Sequence, residues 1–223
     1  MPIPFARSAI PIIEHLPRTL RLPAAVTAIA LAGWIATAVA MHGMGSMDWP
    51  RSMGSFLWLW IAMSAAMMLL LLVPAASLAT TVGSSGTAFV GAYFAVWTLA
   101  GVVAFEAARG LMDGGRLLAI GAIVAAGLYQ VTPLKNSCLR RCRNPLGSLL
   151  RGRAVRAGLE HGLVCLGCCW ALMLSLLALG MGSMFWMAAV ATAIFIEKVT
   201  SFGARASAPV AVALIGAAHW VTV

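Results

Sequence analysis

Acidic side chains are scarce in this chain. Glu14, Asp48, Glu106, Asp113, Glu160 and Glu197 are the only six in 223 residues, and all sit near the ends of apolar runs. Hydrolytic acid–base chemistry needs positioned carboxylates, and six scattered ones supply few pairs. The same shortage weakens any site for hard cations such as calcium or magnesium, which are held by carboxylate and carbonyl oxygens. Charge of either sign is low, at 9% of residues, against about 25% in soluble domains. The sequence also lacks a phosphate-cradling glycine loop, an internal repeat and a low-complexity tract, and no soluble domain is recognisable.

Apolar residues fill the space that charge leaves. They make up 62% of the chain, and the mean hydropathy is +0.96. An α-helix needs about 20 apolar residues to cross a hydrocarbon core about 30 Å thick. Seven such runs are expected, near 23–41, 55–75, 87–105, 116–131, 161–180, 184–197 and 207–222. The last two are short enough to form one re-entrant or tilted pair, which would leave six. The runs are apolar on all sides, not alternating, which excludes a transmembrane barrel. The expectation is an all-α, polytopic transmembrane helical bundle forming one domain over 1–223, with a basic loop at 132–158.

The net charge of +9 would suggest nucleic acid in a soluble protein, but its distribution argues for topology. Arg7, Arg18 and Arg21 precede the first span. Lys135, Arg140, Arg141, Arg143, Arg151, Arg153 and Arg156 lie between the fourth and fifth, and Lys198 and Arg205 follow the sixth. With seven spans these fall on one side, and Arg51, Arg109 and Arg116 on the other. Basic residues collect in cytoplasmic loops, so the N-terminus is expected in the cytoplasm and the C-terminus outside, with Trp49, Trp58, Trp186 and Trp220 as outer anchors. The basic loop would meet anionic lipid headgroups, and no nucleic-acid partner is expected. A basic start, an apolar core and Ala38-Val39-Ala40 also match a cleavable secretory signal, but the segment is expected to be retained.

Soft metal ligands stand inside these runs. Residues 159–173 contain His161, Cys165, Cys168 and Cys169. At about 100° per residue the three cysteines fall about +40°, −20° and +80° from His161, so all four can look into one cavity. Thiolate and imidazole suit copper(I) and zinc, and ionisable groups inside a membrane mark function by default. The alternative is packing, with cysteine as a small hydrophobe beside Gly162 and Gly167. Cys138 and Cys142 are spaced i, i+4, which on a helix aims both sulfurs one way, among arginines that favour the thiolate. A disulfide framework is not expected on the reducing side of the membrane.

A thioether set lies toward the opposite side. Met41, His42, Met44 and Met47 close the first span, and Met181 and Met184 join the fifth to the sixth, with Met187 following. Clustered Met with His favours copper(I) over zinc and over hard ions. Met63 and Met67 lie one turn apart at about mid-membrane depth in the second span, so that a ladder of soft ligands across the bilayer is conceivable. Methionine also serves as a core gap-filler. Glu197 beside Lys198 reads as a boundary pair, and Glu106 as a group facing a cavity at the outer end of the third helix.

The run from Ala126 through Tyr129, Thr132-Pro133, Lys135, Cys138 and Cys142 to Pro145, the run from Gly158 through His161 and Cys165-Leu166-Gly167-Cys168-Cys169-Trp170 to Met173, the Trp60-to-Met68 stretch and Glu197-Lys198 together resemble a bacterial family of predicted metal-binding integral membrane proteins. The resemblance covers most of the chain from the second span onward. It implies a polytopic helical fold, a bacterial inner-membrane location and a metal role, and it supplies no reaction. Copper is the expected metal, with zinc second. Copper handling is one functional expectation; a membrane subunit of a larger redox or copper-oxygenase complex and a non-catalytic assembly subunit are the others. Short loops favour work alongside other membrane protein subunits.

Overall fold

The computed structural model describes residues 18–42, 52–81, 83–151, 153–180, 183–200 and 203–220. Among them the chain is helical throughout, without strands. The helices are α1 (Arg18–Met41), α2 (Met53–Thr81), α3 (Gly86–Asp113), α4 (Gly115–Gln130), α5 (Pro133–Arg143), α6 (Leu146–Arg151), α7 (Ala154–Leu179), α8 (Met184–Val199) and α9 (Gly203–Trp220).

α1, α2, α3 and α7 are long and apolar enough to cross a membrane, and α4 with α5 makes a fifth if the bent pair counts as one span. The expected seven therefore reduces to four or five by length and composition. α8 has 16 residues, about 24 Å of helix at 1.5 Å per residue, short of the roughly 30 Å core. α9 is apolar over Arg205–Ala218 and has 18 residues in all, about 27 Å of helix. Outward faces remain apolar: Leu117, Val103 and Leu99 are among the most exposed side chains, as expected of helices that face lipid rather than water.

The stretch 132–158, expected as a loop, is mostly helix. Its start follows from local chemistry. Pro133 disfavours helical backbone in the residue before it, and Thr132 is extended and caps α5 by accepting the Lys135 amide at 3.3 Å. The helix path breaks there by 65°. Arg140, Arg141 and Arg143 occupy the last turn of α5, where cations complement the helix dipole. Thus α5 turns back against α7 instead of leaving the bundle.

Small residues set the remaining crossings. A Cβ added at Gly33 would meet backbone of Ala62 and Ala66, and one at Gly158 would collide with the Phe89 carbonyl. These contacts bring α1 onto α2 and α7 onto α3, as small residues do where helices pack in lipid. The indole N–H of Trp60 donates to the Trp97 carbonyl at 2.9 Å and ties α2 to α3.

The basic residues gather at one end. Leu22 and Thr80 flank Gly86, Gly158 meets Phe89, and Arg143 donates to the Thr200 carbonyl at 2.5 Å. The start of α1, the ends of α2, α5 and α8, and the starts of α3 and α7 therefore share this end. The opposite end carries Arg109, which pairs with Glu106 at 3.5 Å; both are well exposed. Glu106 therefore sits in a surface ion pair and does not face a cavity, because its partner one turn away holds it at the surface.

Glu197 pairs with Lys135 and not with its neighbour Lys198, since successive residues on a helix point about 100° apart. The Lys135 ammonium, itself fully buried, donates to Glu197, to Gln130 and, at 3.3 Å, to Ser207. This charged junction pins α4, α5, α8 and α9 together beneath the cysteines.

Candidate metal centre

α7 carries Cys165, Cys168 and Cys169 on the face that packs against α3 and α5, and all three are buried. α5 brings Cys142, also buried, to the same place, as the i, i+4 spacing from Cys138 allows. The sulfurs of Cys142, Cys165 and Cys168 all lie within 4.8 Å of one another. A metal about 2.3 Å from each of three coplanar sulfurs holds them about 4 Å apart, so the trio fits one soft ion with little movement. Cys168 donates to the Cys165 carbonyl at 3.1 Å, and its sulfur lies 3.4 Å from that of Cys169.

Polar groups from two helices converge on Cys165. The Tyr93 hydroxyl of α3 lies 3.0 Å from its sulfur, and the Lys198 ammonium of α8 lies 2.9 Å from it. Lys198 also approaches the Met68 thioether of α2 at 3.8 Å. In a low-dielectric interior a nearby cation offsets the cost of holding thiolate. Lys198 therefore supplies the counter-charge that an anionic thiolate cluster needs at this depth.

The remaining candidates are dispersed. His161 is buried and stacks obliquely between Phe89 and Tyr93, at ring-centroid distances of 5.7 and 5.8 Å. It lines, with Cys142, Cys165, Met68, Tyr93 and Lys198, a cavity of about 280 Å³, outside the three-sulfur group. The Cys138 sulfur lies against Gly167, where a Cβ would come within 2.8 Å of it. Met63 is fully buried in α2, and Met67 lines a separate cavity between α2 and α8. Met41 is buried at the end of α1, His42 is exposed beyond it, and Met184 is half-buried at the start of α8. Met44, Met47 and Met181 lie outside the described residues.

Tyr93, Lys198 and Met68 were not picked out as site residues from the sequence. Their partners lie 72, 33 and 130 residues away, so no local spacing announces them. Two signals existed: Tyr93 is one of only two tyrosines, and Lys198 is a lysine ending an apolar helix.

The described residues thus form an all-helical bundle with helices long and apolar enough to cross a membrane, in which three buried thiols converge on one point beside a cation, a donor set that could hold a soft metal ion. Residues 57–221 match the family model PpoB2, described as a copper chaperone, and the chain belongs to that family. The match takes in every residue of the thiol site. Neither the curated proteins nor the solved structures give a match.

Proposed function

We propose that this protein is a membrane-embedded copper(I) chaperone that holds one ion between α5 and α7 and releases it to a recipient metalloprotein. The observation that carries the reading is the meeting of Cys142 with Cys165 and Cys168 in a chain of the copper-chaperone family. Three sulfurs without a carboxylate among them select a soft ion. Zinc is the second choice, because it too accepts thiolates but prefers a fourth ligand; Cys169 and His161 are the groups nearest to supplying one.

Several finer elements belong to the same proposal. The basic end faces the cytoplasm of a bacterium, since Arg and Lys mark that side, and the anionic headgroups of that leaflet attract it. Cys138 serves as a relay thiol one turn before Cys142. Met41, His42, Met44, Met47, Met181 and Met184 form an outer thioether set, with Met63 and Met67 between. Thiols survive on the reducing side and thioethers on the oxidising side, which suits the opposed placement. Membrane protein subunits act as recipients.

Titration of the detergent-purified, reduced protein with copper(I) against a chromophoric copper(I) chelator tests this reading. The expected result is one tightly bound copper per chain, with zinc unable to displace it. Failure to compete with the chelator at any ratio overturns the proposal.

A further inference from the structure

The cavity beside the thiols has an unexpected charge for a site that receives a cation. Its described lining includes Arg143 and Lys198 together with the soft residues Cys142, Cys165, Met68 and His161, and no acidic residue. Glu197, one residue from Lys198, is taken up by Lys135 and is absent from the wall. Arg143 is exposed and fixed by its bond to the Thr200 carbonyl, which stations it at the basic end of the cavity. Arg140, Arg141, Arg153 and Arg156 are exposed at the same end, where Glu160 is occupied by Arg156 at 3.0 Å. A bare copper(I) ion approaching from this end meets repulsion, and an anion meets attraction.

We infer that the cavity receives copper(I) as an anionic complex with a low-molecular-weight thiol, recognised by Arg143 and drawn inward toward Lys198. This rests on the copper(I) reading above. Copper(I) in a thiol-rich compartment is held by thiolates, and two thiolates around one copper(I) carry a net negative charge. The volume, about 280 Å³, lies just below the roughly 300–1,000 Å³ of small-molecule sites. It therefore suits a small thiol better than a loop of a folded donor.

Transfer is then a ligand exchange without change of oxidation state. As a copper–sulfur bond to Cys142 forms, one bond to the donor thiolate breaks. The Cys142 proton leaves on the departing thiolate, which exits as a neutral thiol group. A second exchange at Cys165 releases the other donor thiol in the same way, and Cys168 then adds as a third ligand, its thiol proton passing to solvent.

Loading rates of the full chain in detergent test the inference. The probes are copper(I) in excess free cysteine, whose bis-thiolate complex is anionic and small enough for the cavity, and the cationic tetrakis(acetonitrile) copper(I) complex. The anionic donor is expected to load faster by about tenfold at low salt, and to lose that lead as salt rises, as steered association does. Arg143→Gln is expected to cut the anionic rate about fivefold while leaving the cationic rate unslowed, and Arg143→Lys to restore it. Equal, salt-insensitive rates in the wild type overturn the inference whatever the variants do, as does equal slowing of both donors by Arg143→Gln. A copper-loaded acidic peptide too large for the cavity, loading as fast as the cysteine complex, overturns the small-thiol assignment. Absence of loading from either donor instead removes the copper(I) reading itself.

Discussion

Replacing Cys165 with serine is expected to empty the metal site, with copper retention falling by at least about 100-fold. Outer-shell partners of a metal ligand already cost 10–100-fold when removed, and Cys165 is more central than that. It is one of the three converging sulfurs, it accepts the contacts of Tyr93 and Lys198, and its carbonyl receives the Cys168 thiol. Serine keeps the shape and a hydrogen-bonding oxygen, so the helix should persist. What is lost is a soft, deprotonatable ligand, and copper(I) binds a neutral hydroxyl poorly. Copper content after dialysis against a weak chelator, alongside an unchanged helical spectrum, checks the prediction. Cys138→Ser provides the contrast, since its sulfur packs on Gly167 outside the trio; it should retain copper at equilibrium. Full retention in Cys165→Ser would place the metal elsewhere.

The second large effect concerns the charged junction beneath the site. Lys135→Met is expected to destabilise the protein by about 3–5 kcal/mol, the usual result of stripping one partner from a buried pair. The Glu197 carboxylate and the Gln130 amide would then face a desolvated interior with their shared donor gone. The double variant Lys135→Met with Glu197→Leu removes both charges and should recover most of the loss, because well-packed apolar replacements of buried pairs are often neutral or better. Thermal unfolding of the detergent-solubilised protein measures both. Strictly additive losses would show that the two side chains do not depend on each other. The copper site should follow stability here, since α5 delivers Cys142 and Lys135 anchors α5.

The helical character of the chain and the spacing of the cysteines along α7 were legible in the sequence, because both are local, whereas the meeting of Cys142 with Cys165 and Cys168 is tertiary. Apolar runs fix helices without reference to the rest of the fold, and His161 to Cys169 lie within a little over two turns of one helix. The i, i+4 spacing of Cys138 and Cys142 does fall on a helix, α5, and both sulfurs meet α7. What could not be read was which of the two would join Cys165 and Cys168. That depends on the 65° break at Thr132-Pro133, a tertiary angle that a proline signal permits without setting. The count of spans turns on α8 and α9, which at 16 and 18 residues are the short pair that the sequence already marks; among the described residues four helices qualify by length and composition, or five with the bent pair. Glu197 was assigned to its sequence neighbour because adjacency is visible and a partner 62 residues away is not. The choice of Met68 over Met67 on the cavity wall likewise turns on helix rotation, about 100° per residue, which an all-round apolar helix such as α2 does not reveal.

If the sulfurs of Cys142, Cys165 and Cys168 hold copper(I), X-ray absorption at the copper edge of the reduced, loaded protein will show copper(I) with a sulfur-only shell of three ligands at about 2.3 Å, lost when the three cysteines are changed to serine together. A shell of nitrogen or oxygen ligands, or the same sulfur shell persisting in that triple variant, would contradict it.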